Sequence, residues 1–192
     1  MEDYSVLYSY FEKINKRQLS VEEKLEIASV FRKEHFKKKE LVMSAGDTNT
    51  RHYYIEKGLL RMFIIDQSGK EFNVLFAKEY QWLGDLGTPA ETSYFIEALE
   101  NSSVFSVDEE GFSKIIGYYM DLADNIRKSY IFLQKRFVSI LSKTAEENYE
   151  DLIGQNPDLV QRLPQYHISS YLGVTPVFLS KILAKRAKKN TK

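Results

Sequence analysis

The sequence predicts an α+β protein: a helical lead-in, a run of short strands, and a helical carboxyl-terminal third ending in two short helices around a glycine turn. Three observations predict it. Apolar residues recur at helical spacing before residue 40 and after residue 111. Between Glu40 and about Asp108, aromatic and β-branched runs alternate with glycine-bearing turns. The last 32 residues carry seven Lys and Arg and no acid, against 27 acids and 20 bases in residues 1–160. With 43% hydrophobic residues in 192, there is material for one large domain, or for one medium and one small domain.

Residues 1–40 read as helical throughout. Ser20-Val21-Glu22-Glu23 has the spacing of a capping box ahead of Leu25, Ile27, Ala28 and Phe31. Strands are expected at LVM (41–43), HYYIEKG (52–58), LLRMFII (59–65), KEFNVLFA (70–77) and SSVFSV (102–107). Turns are expected at Ala45-Gly46-Asp47, Lys57-Gly58 and Asp66-Gln67-Ser68-Gly69. Strands at this spacing, without crossover helices between them, describe an antiparallel sandwich or roll.

From about residue 112 to 143 the pattern is that of one long helix. Tyr119, Leu122, Ile126, Tyr130, Leu133, Phe137 and Ile140 recur at steps of three or four. Such a stripe runs about 35 Å at helical rise, longer than a compact domain needs. It is expected both to pack on its own β domain and to form a parallel seam with a second copy of the chain, giving a homodimer. Thr144-Ala145-Glu146-Glu147 is a second capping-box pattern, and the domain boundary is drawn there: 1–143 as sensor, 144–192 as binding domain.

Composition removes several functions. With no cysteine there is no disulfide, thiolate-held zinc or cysteine-ligated iron–sulfur cluster. No run of eighteen apolar residues and no signal-peptide pattern is present, so a cytoplasmic protein with no membrane partner is expected. His35, His52 and His167 are scattered, no glycine-rich loop opens a helix, and no nucleophile–base pair stands at a recognisable spacing. The chain reads as a non-enzyme without a cofactor, its histidines as surface or packing residues.

Residues 164–186, PQYHISSYLGVTPVFLSKILAKR, carry the function. Ile168 and Leu172 form a short apolar face, Gly173 suits a left-handed helix end, Thr175 suits an N-cap and Pro176 the first helical position. Leu179, Ile182 and Leu183 resume the apolar face. Two short helices around such a turn have the helix-turn-helix arrangement; spacing alone fits a plain helical hairpin as well, and the basic surroundings, which suit a polyanion, decide for DNA.

On these residues the chain resembles, over nearly its whole length, the cyclic-AMP receptor and fumarate–nitrate regulator (Crp/Fnr) family of bacterial transcription factors. ISSYLGVTPVFLSKI is similar to the pattern I-A-S-Y-L-G-I-T-P-E-x-L-S-R-I of one branch. The resemblance implies a cyclic-nucleotide-binding-like β-roll (a double-stranded β-helix), a long dimerisation helix and a winged-helix-like DNA-binding domain. It further implies double-stranded DNA with a two-fold-related operator as partner, RNA polymerase as a second partner, and a small-molecule effector of unknown identity. Carried over, the recognition helix runs from Pro176 to about Arg186, with Val177, Ser180 and Lys181 facing base edges. His167, Thr175 and the cluster of Lys185, Arg186, Lys188 and Lys189 would hold phosphates. Val177 replaces a frequent glutamate and Lys181 a frequent arginine, so the family's base contacts do not transfer.

The same resemblance places a phosphate-binding cassette at Gly84-Asp85-Leu86, continuing to Thr92-Ser93, with Phe137 closing the pocket. In ligand-responsive relatives an arginine occupies the position of Thr92 and pairs with the cyclic phosphate. With that cation lost, the cassette is expected to be degenerate. A purely structural turn, with Trp82, Leu86 and Phe95 packed inside the roll, and a site for another small molecule both stay open. The competing reading of the whole chain is a non-catalytic dimeric module that binds a ligand or a protein, its DNA binding degenerate.

Overall fold

The computed structural model describes residues 3–48, 51–85, 91–116 and 121–190. It forms two compact units, Met1–Ile64 with Leu75–Lys128, and Ile65–Val74 with Ser129–Lys192. This division falls elsewhere than the boundary expected after residue 143, because the end of the long helix and a sheet hairpin both pack with the carboxyl-terminal helices.

In the first unit, α1 (Ser5–Asn15) and α2 (Val21–Val30) precede β1 (Arg32–Phe36), β2 (Leu41–Met43), β3 (Arg51–Lys57), β4 (Leu59–Ile65), β5 (Glu71–Lys78), β6 (Trp82–Leu83), β7 (Phe95–Ala98) and β8 (Ser102–Asp108), residues 65–74 at the β4–β5 connection being counted with the second unit. The helix α3 (Glu109–Ile116) follows. The strands form two four-stranded sheets, β1-β8-β3-β6 and β2-β7-β4-β5, giving a roll. The expectation that residues 1–40 are all helical fails at β1, which pairs antiparallel with β8 from Arg32↔Ser106 to Phe36↔Ser102. RKEHF buries none of its residues fully, so this edge strand lacks the apolar alternation by which a strand is recognised.

The Ser20 capping box forms, and Arg17 grips its Glu23 through two nitrogens at 2.8 and 2.5 Å. The helices cover one face of the first sheet: Leu7, Phe11, Ile27 and Phe31 pack with Tyr54, Phe105 and Val107. Trp82 packs against this helical cluster, a different place from the roll interior expected for it. Between β3 and β4, Gly58 has φ +105°, and an added Cβ would stand 2.2 Å from Ser102 Oγ. The β3–β4 turn therefore requires glycine.

In the second unit, the tip of the β4–β5 hairpin is closed by Asp66, whose Oδ1 accepts from the Ser68 and Lys70 amides, and by Gly69 at φ +82°. The long helix α4 spans Asp121–Ser142 and reaches into this unit. α5 (Ala145–Gln155), α6 (Pro157–Arg162), α7 (Gln165–Tyr171) and α8 (Pro176–Asn190) follow, α5 starting with the predicted Thr144 capping box. Tyr149, Leu152, Leu159, Leu163, Ile168, Leu179 and Ile182 are its buried apolar residues. On α4, Tyr130, Leu133, Phe137 and Ile140 from the predicted stripe are exposed, as are Val138 and Leu141. Tyr119 lies outside the described residues. Among the described residues no helix is long and apolar enough to cross a membrane.

Candidate nucleic-acid interface and ligand loop

α7 and α8 are joined by a turn in which Gly173 takes φ +70°. Its amide donates to Ser170 O at 3.2 Å, and Val174 N donates to Ser169 O at 3.0 Å, so the end of α7 is closed by backbone bonds. Thr175 caps α8: its Oγ1 accepts from Phe178 N at 3.2 Å and its carbonyl from Leu179 N at 3.0 Å. Pro176 starts the helix, where no amide is needed. Leu179 is fully buried and Ile182 nearly so, which turns the opposite side of α8 outward. Val177, Ser180 and Lys181 stand one turn apart on that side, all exposed, with Val177 at 67%. The Ser180 hydroxyl donates to Pro176 O at 3.0 Å.

In the roll, the Thr92 hydroxyl donates to Asp85 Oδ2 at 2.7 Å and accepts from Tyr94 N at 3.2 Å. The Thr92 backbone bonds in both directions with the β2 loop: its amide donates to Asp47 O at 3.0 Å, and its carbonyl accepts from Gly46 N at 2.8 Å. Thr92 is buried, while Glu91 and Ser93 beside it are exposed. An added Cβ on Gly84 would lie 2.8 Å from His52 Nδ1 and 2.9 Å from Arg51 O, so this glycine admits close packing of the loop on β3.

Residues 33–119 match the family model of the cyclic nucleotide-binding domain. No curated protein sequence matches the chain. Among solved structures, a CooA variant from Carboxydothermus hydrogenoformans aligns with a TM-score of 0.71 at 19% identity, over 93% of this chain and 84% of its own. FixK2 from Bradyrhizobium japonicum gives 0.71 at 16%, over 84% and 86%. A protein from Eubacterium rectale assigned to the Crp/Fnr family of transcriptional regulators gives 0.67 at 15%, over 94% and 88%. The fold is that of the Crp/Fnr regulators. At these identities the likeness is one of fold, and function has to be argued from the chain's own residues.

Within the Crp/Fnr fold, Thr175, Pro176, Val177, Ser180 and Lys181 come together at the exposed start of α8. Lys185 and Arg186, expected to hold phosphates, lie further along the helix and pair with α5: Lys185 Nζ with Glu146 at 2.6 Å, Arg186 Nε with Glu150 at 3.0 Å. Such surface pairs contribute little to stability.

His167 is a correction to the expected phosphate contacts. It is 3% exposed, and Asn73 Nδ2 lies 3.3 Å from its Nδ1 and donates to its backbone carbonyl at 3.1 Å. Asn73 and Arg136 are the residues that sequence reasoning missed. The available signals were an amide inside the apolar run FNVLFA and a guanidinium next to the exposed α4 stripe.

In the cassette, Gly84, Asp85 and Thr92 are brought together, with Ser93 facing solvent. Leu86 lies outside the described residues. Phe137, expected to close the pocket, is 64% exposed on the part of α4 that belongs to the second unit. Among the described residues no cluster of His, Asp or Glu is arranged to hold a metal ion.

Proposed function

We propose that the chain is a DNA-binding transcription regulator of the Crp/Fnr type, acting as a homodimer on a two-fold-related operator. The observation that carries this reading is the exposed face of Val177, Ser180 and Lys181 on a helix capped by Thr175 and Pro176, in a segment carrying seven cations and no acid. A two-fold dimer presents two such helices to successive major grooves. The apolar surface of Tyr130, Phe137, Val138, Ile140 and Leu141 supports α4 as the seam between copies. Base reading rests on Lys181 as a point charge, on the Ser180 hydroxyl, and on Val177 touching a thymine methyl. Thr175, Lys185 and Arg186 anchor phosphates, which fixes register without reading sequence. The protein acts in the bacterial cytoplasm, without enzymatic activity, and RNA polymerase is its partner at promoters.

The roll does not respond to cyclic nucleotides. Thr92 offers a cyclic phosphate no cation, and its hydroxyl is directed at the Asp85 carboxylate. A phosphate buried there would be poorly compensated. An effector of another class would act by binding one orientation of the DNA-binding domain better than another.

Selection of bound fragments from genomic DNA, followed by titration of the recovered duplex at several salt concentrations, tests the reading. Enrichment of a two-fold-related sequence supports it. Affinity no better than that of a neutral control protein removes it. Val177 favours a second reading, an interaction module whose helix-turn-helix has lost specificity; salt-dependent binding without enrichment would select it.

A further inference from the structure

The β4–β5 hairpin is bonded to the first helix of the helix-turn-helix. Asn73 N donates to Ser170 Oγ at 3.0 Å, and the Ser170 hydroxyl donates onward to Glu71 O at 2.9 Å. The Asn73 side-chain amide covers His167, donating to its carbonyl. From α4, Arg136 donates to the carbonyls of both Val74 and Tyr171, the latter at 3.2 Å, and its guanidinium lies 3.7 Å over the Tyr171 ring. His167, Ser170 and Tyr171 form one face of α7, so β5 and α4 hold the same side of the helix. Asn73 is 4% exposed and His167 3%, so parting the contact would strand polar groups now paired.

We propose that Asn73, Ser170 and Arg136 are positioning residues for DNA binding: through them the β4–β5 hairpin seats α7 and sets how α8 is presented. The consequence for DNA rests on the regulator reading above. The strap leaves Val177, Ser180 and Lys181 exposed, so it orients the reading surface without covering it.

The test uses the full chain, with Ser170→Ala, which removes the hydroxyl between Asn73 N and Glu71 O, and Ser170→Thr, which keeps it. Amide hydrogen exchange is expected to quicken about tenfold or more in α7 of Ser170→Ala while β8 stays protected, and to return toward wild type in Ser170→Thr. On the selected duplex, Ser170→Ala should weaken binding about tenfold with an unchanged salt slope, and should lose discrimination between half-site spacings. Should Ser170→Ala fail to fold, Arg136→Lys serves, since one ammonium keeps the charge but not the fork that reaches both carbonyls. Unchanged α7 exchange in the variants overturns the clamp whatever the DNA result. Unchanged spacing preference with a loosened α7 overturns its role in positioning. A wild type that selects no DNA while α7 still loosens in the variant counts against the regulator reading and not against the clamp.

Discussion

The Thr92 hydroxyl donates to Asp85 Oδ2 at 2.7 Å, which joins the two ends of the cassette loop to each other. Asp85 and Thr92 bond to each other, and the Tyr94 amide bonds Thr92. Thr92→Val keeps the shape and removes the hydroxyl, leaving Asp85 and the Tyr94 amide each without this partner. It should destabilise the first unit by about 1–3 kcal/mol, read as a lower urea midpoint at unchanged slope.

The Thr92–Asp85 bond also predicts a null response to cyclic nucleotides. A ligand bound only by the native form at a hundred times its dissociation constant stabilises by about 2.7 kcal/mol, an easily measured rise in melting temperature. Neither cyclic AMP nor cyclic GMP at millimolar concentration should raise it.

The Glu23 carboxyl is held down to about 2, first by its hydrogen bond from Arg17 and then by the Ser20 amide of the capping box. A depressed folded value means that the carboxylate stabilises the fold above its ordinary value of 4.5, and that this contribution is lost as pH falls through the window from 4.5 to about 2. Glu23→Gln should therefore lower the melting temperature at neutral pH, and the gap to wild type should close across that window. A gap independent of pH would show that the carboxylate charge does not support α2.

On α4, Phe137, Val138 and Leu141 are each more than half exposed, a large apolar surface for a helix of 22 residues. If α4 is the seam between copies, Phe137→Glu with Leu141→Glu should shift the sedimentation coefficient from dimer to monomer without loss of helical circular dichroism. DNA affinity should fall with it, since the two half-sites would no longer be bound together.

Much of this was legible because short-range rules decide it. Ser20–Glu23 and Thr144–Glu147 form the two capping boxes their spacing suggests, and Gly58, Gly69 and Gly173 take the positive φ that their turns require. The start of α8 was equally clear, since Thr175 and Pro176 act within a single turn. What was hidden depends on partners distant in sequence. RKEHF becomes a strand because β8 offers it an edge, not because of its own pattern. His167 looks like a phosphate ligand until Asn73, 94 residues away, covers it. That the Thr92 hydroxyl would turn to Asp85 was not legible, since it depends on how the intervening chain returns.

The most direct measurement is fluorescence anisotropy of the full chain with a duplex recovered by genomic selection, competed against the same duplex scrambled, at two salt concentrations, for wild type and Lys181→Ala. A preference of about a thousandfold or more for the selected duplex is expected, with Lys181→Ala eroding that preference. Equal affinity for selected and scrambled DNA, or a preference indifferent to Lys181, would contradict recognition through α8.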